Sequence, residues 1–506
     1  MLRSHARAVF ALSLALSTAP AALALGTGRT DFVDCGAAAG GDGSWAKPWG
    51  TLEEASAVPL GPGSRLLLRR GTTCVGTLAP AGSGAAGDPA YVGAYGSGAA
   101  PRVLGGGEDA VRLRNTSHVV LQDLELENRG DFETTRRRGV HLVADGAVMS
   151  DVTVRRLYIH DVEGDLAKDS GGSGGIQVDG IGGGRFDGLV IEHNRIEDVS
   201  RSGIFLDTSS GARPRSGEPW PGASTGIVIR RNRLLRLAGD GIVPVGALGA
   251  VIEDNVVGEG NLRGSAAVPP FAPICNAGIW AFHSNDTVIQ RNEVYGMAFN
   301  GCDGTGYDID YNQDGTIVQY NYSHDNEGGF ILLCTDSEPR SAEVRFNLSV
   351  DDGWAILTAP CAFPSLGDYD EVRMFDNTIV GPHPLAHFEG VEVPFLVERR
   401  TLEFRNNVIV ATEPQTSTLP CSTTRCSHNL YYGLPPSGTD AITAEPIFLD
   451  PTRRGFGRLL VGKGFALQAG SPGVGAGIPM PGSPDRDYFD RLFDPTAPPT
   501  LGMHQR

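Results

Sequence analysis

The stretch GYDIDYNQDGTIVQYNYSHDNEGGF, residues 306–330, decides the fold. It opens on a glycine followed by a large apolar residue (Gly306-Tyr307), places Asn321 fifteen residues later, and ends on a second such glycine step (Gly329-Phe330). Both landmarks recur outward in each direction. The asparagine returns in EHNRI, RRNRL, EDNVV, QRNEV, RFNLS, FDNTI and RNNVI as Asn194, Asn232, Asn255, Asn292, Asn347, Asn377 and Asn407, at spacings of 23 to 38 residues. The glycine step returns at Gly139, Gly175, Gly203, Gly241, Gly278 and Gly353, interleaved with the asparagines. Two interleaved landmarks define one repeating unit.

A unit of this length made of short β-rich runs, with no amphipathic helical stretch between them, reads as a coil of strands and not as a helical solenoid. One coil buries little, so neighbours share a core and each strand pairs with its equivalents above and below. Asparagine suits a turn of such a coil, because it tolerates a left-handed backbone and its amide can bond the asparagine of the next coil. On these landmarks the chain resembles the right-handed parallel β-helix superfamily of pectate lyases and polygalacturonases over residues 105–435. The resemblance implies an all-β fold, a right-handed parallel β-helix: a single-stranded solenoid of about ten coils.

The flanks read differently. Arg3 and Arg7, the apolar run from Ala8 to Ala19 and Ala22-Leu23-Ala24 make residues 1–24 a signal peptide, so a secreted protein is expected. No later run has the length of a membrane span. Residues 25–104 resemble the entry module of secreted β-helix proteins. A short helix near Thr51 to Ala57 is expected to cap the open end, with the first strands starting at Leu66-Leu67-Leu68. Residues 436–506 resemble the closing segment of the same proteins and are expected to form an irregular cap against the last coil.

The formal net charge of −17 argues against a nucleic-acid partner and favours a neutral polysaccharide or oligosaccharide, or an acidic one bridged by a cation such as calcium. A monomer is expected. Eight cysteines after the cleavage site point to disulfides, of which Cys35 with Cys74 and Cys421 with Cys426 are favoured. Three insertions interrupt the coils, at residues 163–174, 208–225 and 258–275, and would wall a groove beside the glycine strands.

Alternation from each landmark glycine sends two columns of side chains outward. The first is His141, Gln177, Phe205, Val243, Trp280, Asp308, Ile331 and Ala355; the second is Val143, Asp179, Asp207, Val245, Phe282, Asp310, Leu333 and Leu357. Asp308 and Asp310 share a face with Cα atoms about 6.5–7 Å apart, the spacing of paired carboxyls in glycoside hydrolysis. They are the candidate acid and nucleophile or base, against a reading as surface acids or as a cation site. Trp280 and Phe282 are candidates to stack on sugar, and His283, His324, Asp325 and Glu327 to bind it. Asp179 and Asp207, about 4.8 Å apart in consecutive coils, are a candidate calcium site. The leading expectation is therefore a glycoside hydrolase. A polysaccharide lyase using Lys168 and Arg201 is the alternative, and a non-catalytic glycan-binding solenoid the third reading.

Overall fold

A computed structural model of the protein describes residues 28–130, 135–168, 172–208, 211–263, 275–300, 303–310, 312–335, 341–360, 371–384, 386–388, 402–418 and 425–505. The proposed signal peptide, Cys302, Cys361 and Cys421 lie outside them. Within them the strands form three sheets of ten, seventeen and thirteen members, and the ladders are parallel. We call them sheets A, B and C, the order in which each coil visits them. One coil, for example, runs through Gly174–Ile181 in A, Arg185–Glu192 in B and Arg195–Val199 in C. The chain is a right-handed parallel β-helix, as the landmarks imply.

Inward side chains stack in continuous files. In sheet A, Ile204, Ile242, Ile279, Tyr307, Ile331 and Ile356 follow one another from coil to coil and are all buried. The neighbour in each file supplies the apolar contact that a single coil lacks.

Asparagines mark the turn from B to C. The side-chain amide of Asn321 donates to Oδ1 of Asn347 at 3.1 Å, as does the Asn321 backbone N–H at 2.9 Å, and the pattern repeats from Asn194 to Asn429. Each amide also donates to a carbonyl of the preceding B strand, such as Ile289 for Asn321 at 2.9 Å. Asn429 is a ninth rung beyond the eight read from sequence. The left-handed residue is not the asparagine but the one before it, such as Arg291 (φ 57°), Tyr320 (φ 58°) and Phe346 (φ 51°). The asparagine is required for its amide, which satisfies two buried backbone groups, the N–H of the preceding rung and a B-strand carbonyl, at a corner that has no ladder of its own.

The landmark glycines have a different cause. A Cβ at Gly241 would lie 2.5 Å from a methyl of Val257, and one at Gly139 would lie 2.4 Å from a methyl of Ile159, so the column is where sheet A passes closest to sheet C. Gly329 and Gly353 do not belong to it. Tyr307 pairs with Ile331 and Ile331 with Ile356, so the register slips by one and Leu332, not Ile331, continues the outward file of Asp308. Leu333 is in the core, and Ala355 lies off the outward file.

Residues 30–104 do not stand apart from the coils. Thr30–Val33 pairs with Arg65–Arg69, that strand with Ala90–Tyr95, and the last with Val119–Gln122, in one continuous sheet B. A five-residue helix does form at Leu52–Ser56, started by the Thr51 hydroxyl accepting from Glu54 N–H, with Leu52 and Ala55 in the core cluster. Cys35 and Cys74 are disulfide-bonded, and Cys275 and Cys426 are also in disulfides.

The C-terminal segment is more than an end cap. Its Phe448, Val461, Phe465, Tyr488, Leu501 and Met503 pack along the outside of sheet C on Tyr322, Leu348, Val350, Val408 and Leu430, so it folds back along several coils.

Candidate functional site

Sheet A positions the two acids. Asp308 alternates with Tyr307 and Ile309, both fully buried in the core, so its carboxyl leaves the opposite face, and Asp310 follows two residues on. The first is 4 % exposed and the second 7 %, so neither is a surface acid. Burial, then the negative charges of Asp310 and Asp303, push the Asp308 carboxyl well above the usual carboxylate range, with Lys168 opposing them. Its Oδ1 has no hydrogen-bond partner among the described residues. Such a group is biased toward its protonated form, the state that a general acid needs.

Trp280 is the register partner of Asp308 in the preceding coil. It belongs to an apolar cluster on the outward face with Val243, Val245 and Ala277, flanked by Phe205 and Phe282. The residue is 5 % exposed, with the Lys168 ammonium 4.5 Å from the ring centroid. The expected open platform for a sugar is therefore covered in this state. Phe282 stays half-buried, and its ring lies 6.5 Å from that of Trp280.

The insertions meet this face at both edges. The first (163–174) and third (258–275) lie in turns from C to A, and their Lys168 and Cys275 meet beside Asp240, a residue that sequence reasoning missed. The fully buried Asp240 carboxylate takes Arg201 at 2.7 Å and Lys168 at 3.6 Å, and accepts from the Trp280 indole N–H at 3.0 Å and the Ala277 backbone N–H at 3.1 Å. Lys168 also donates to the Cys275 carbonyl, and Arg201 to Asn276. Both lyase candidates are thus engaged with an internal carboxylate. A cavity of about 10 Å³ remains under the first insertion, between Lys168, Gln177, Arg201 and Phe205. The second insertion (208–225) lies in the turn from A to B. There Arg213 donates to Asn285 (2.7 Å) and Asn312 (3.1 Å), and Arg215 pairs with Asp314 (2.9 Å). His283 sits at this edge with Nδ1 2.7 Å from the Asn312 amide and its ring edge-on to Trp220 at 5.4 Å.

Other candidates lie elsewhere. His324 and Asp325 are on sheet C, where the imidazole is stacked between Tyr295 and Tyr322 and beneath Phe456 of the C-terminal segment. They face away from Asp308 because their strand belongs to another side of the coil. Glu327, exposed at the C-to-A turn, accepts from the Phe299 backbone N–H at 2.7 Å. Asp179 and Asp207 are register partners on sheet A, and Asp207 is three coil rises, about 14 Å, from Asp310. The charge of Asp179 is met by His141 at 2.7 Å and by the Gln177 amide at 2.7 Å. His141 is held in turn by Asp109, and the two carboxylates outweigh burial to raise its affinity for a proton. That pairing answers the like-charge problem from which a calcium site was expected. Among the described residues, the one trio of metal-ligand type is Glu125, Glu127 and His160 on sheet C, where Arg102 and Arg129 already pair with Glu127.

Comparison with known proteins agrees with this architecture. A family model described as a right-handed β-helix region matches residues 175–353. A lacto-N-biosidase from Bifidobacterium longum subsp. longum is 28 % identical over 277 residues, 47 % of this chain but 17 % of the relative, so the chain spans under a fifth of that protein's length. A GH136 lacto-N-biosidase from Eubacterium ramulus superposes with a TM-score of 0.59 at 21 % identity, over 82 % of this chain and 68 % of that one. XylC, in complex with xylose, superposes with a TM-score of 0.54 at 12 % identity, over 94 % and 98 % of the two chains. The structural likenesses are likenesses of fold.

Proposed function

We propose that this protein is a secreted glycoside hydrolase acting on a glycan held against sheet A, with Asp308 as the general acid and Asp310 as the nucleophile or base. The observation that carries this reading is a pair of buried carboxyls two residues apart on one strand, one of them pushed strongly toward its protonated form. The proton of Asp308 would pass to the glycosidic oxygen as the bond to the anomeric carbon breaks. The Asp310 carboxylate would attack that carbon directly or draw a proton from the water that does. The Cys35–Cys74 disulfide fits an oxidising compartment outside the cytoplasm. The relatives named as lacto-N-biosidases make a lacto-N-bioside the first substrate to try.

The test is release of p-nitrophenol from p-nitrophenyl lacto-N-bioside, alongside a panel of β-linked aryl glycosides. Turnover by the native protein that disappears in Asp310→Asn, with unfolding behaviour retained, supports the assignment. Full activity in that variant removes it. Absorbance of an unsaturated uronate product, in place of hydrolysis, would instead support elimination.

A further inference from the structure

Asp240 has four partners drawn from three separate parts of the chain. Lys168 comes from the first insertion, Ala277 borders the third, and Arg201 and Trp280 belong to coils of the solenoid. A buried carboxylate with this set is costly unless every partner is in place, because each one removed leaves charge or lone pairs uncompensated. The same contacts put the Lys168 ammonium 4.5 Å from the centre of the Trp280 ring, and Trp280 is the coil neighbour of Asp308. One residue therefore ties Lys168 and the Ala277 backbone to the strand position beside the acid.

We propose that Asp240 is the positioning residue of the groove, which fastens Lys168 of the first insertion and the backbone at Ala277 beside Trp280 and holds Lys168 as the cation that governs Asp308. This rests on the reading of Asp308 as the acid. Asp240 touches none of the reacting atoms in that scheme; it acts through Lys168 and Trp280. The largest charged influences on Asp308 are Asp310, Asp303 and Asp240, which hold its proton on, and Lys168, which favours its release. A cation fixed there would keep a buried carboxyl from binding its proton too tightly to donate it. Since Lys168 also covers the indole, entry of a sugar ring to Trp280 requires this ammonium to swing aside, so the clasp would sense ligand as well as set charge.

Two experiments on the full-length protein test the proposal by separate routes. Hydrogen exchange needs no substrate: Asp240→Asn is expected to raise exchange at least tenfold at amides of 163–168 and 275–281, while 316–324 stay at the native rate. Unchanged exchange at both segments overturns the clasp. The second route is the pH profile of kcat/KM for glycan hydrolysis. Lys168→Met keeps the stem over the indole and removes the charge, so Asp308 should hold its proton to higher pH and the alkaline limb should move upward by about one unit. Lys168→Arg should return the limb to its native place. An unmoved limb in Lys168→Met overturns the role of the cation, and should Asp240→Asn fail to fold, this variant decides alone. Absence of hydrolysis in the native protein would count against the glycosidase reading, whereas the exchange result would still decide whether Asp240 clasps the two segments.

Discussion

Trp280 and Asp308 are register partners on neighbouring coils of sheet A, with the indole N–H on Asp240 and the carboxyl left with one oxygen unbonded. The pairing puts an apolar, cation-capped ring one strand spacing from the proposed acid. It raises proton affinity at Asp308 by excluding water, and that is the property on which the proposed chemistry depends.

Asp308→Asn should therefore lose activity without losing the fold. Removing a general acid typically lowers turnover by about 10²–10⁴-fold. The amide keeps the shape and cannot ionise, so thermal unfolding should be unchanged or raised. Aryl glycosides with a good leaving group should be cleaved by the variant better than natural linkages, since they need less proton assistance. Equal loss on both substrates would speak against the acid role.

The asparagine ladder should be stability-critical in its middle. Asn321→Ala removes bonds to Asn347 and Ile289 and the acceptor used by Asn292, and leaves the Ile289 carbonyl and the Asn292 N–H of the preceding coil open. At roughly 1–3 kcal/mol for each unsatisfied buried group, the loss should be about 3–5 kcal/mol in urea unfolding. A change below about 1 kcal/mol would mean that the corner holds without it.

The Cys35–Cys74 bond closes a loop with a sequence separation of 39. Chain-entropy arguments give about 4 kcal/mol for a loop of this size. Cys35→Ala with Cys74→Ala should thus unfold at clearly lower denaturant, and since Thr30–Val33 starts sheet B, proteolysis should begin at that end.

Much of this was legible because the landmarks are forced. An amide must satisfy the B-to-C corner and a missing side chain must let sheet A approach sheet C, so Asn and Gly recur whatever else varies. Asp308 and Asp310 followed from alternation counted from Gly306. The same counting failed from Gly329, which looks like a landmark but sits one residue out of register, at φ 120°. Asp240 was invisible for another reason: Lys168, Arg201 and Trp280 reach it from positions up to 72 residues away in sequence, and no periodicity links them. His324 was misplaced although a signal existed. The residue after the ladder asparagine is charged at Arg195, Arg233 and Glu293, with Val256 between them, then becomes Tyr322, Leu348, Val408 and Leu430, with Thr378 among them, which announces that the outer face of sheet C is covered from there on.

That cover supplies a last prediction. His324 donates toward Asp325 (2.7 Å) and Glu293 (3.4 Å), while Glu293 accepts from the Gly457 backbone N–H of the C-terminal segment at 3.0 Å. Burial alone would lower the imidazole, but the two carboxylates outweigh it and raise it to about 9 from 6.5. A folded-state value above the unfolded one gives stability that is full below about 6.5 and is lost as pH rises through 9, here on the order of 3 kcal/mol. Asp352, raised to about 6 from 3.8 by burial, gives up its contribution as pH rises from 3.8 through 6, so its window lies below that of the histidine. Urea midpoints should fall between pH 6.5 and 9 in the native protein, and His324→Gln should flatten that slope while leaving the one below pH 6. A native slope that survives in His324→Gln would show that the docking of the C-terminal segment does not depend on the imidazolium.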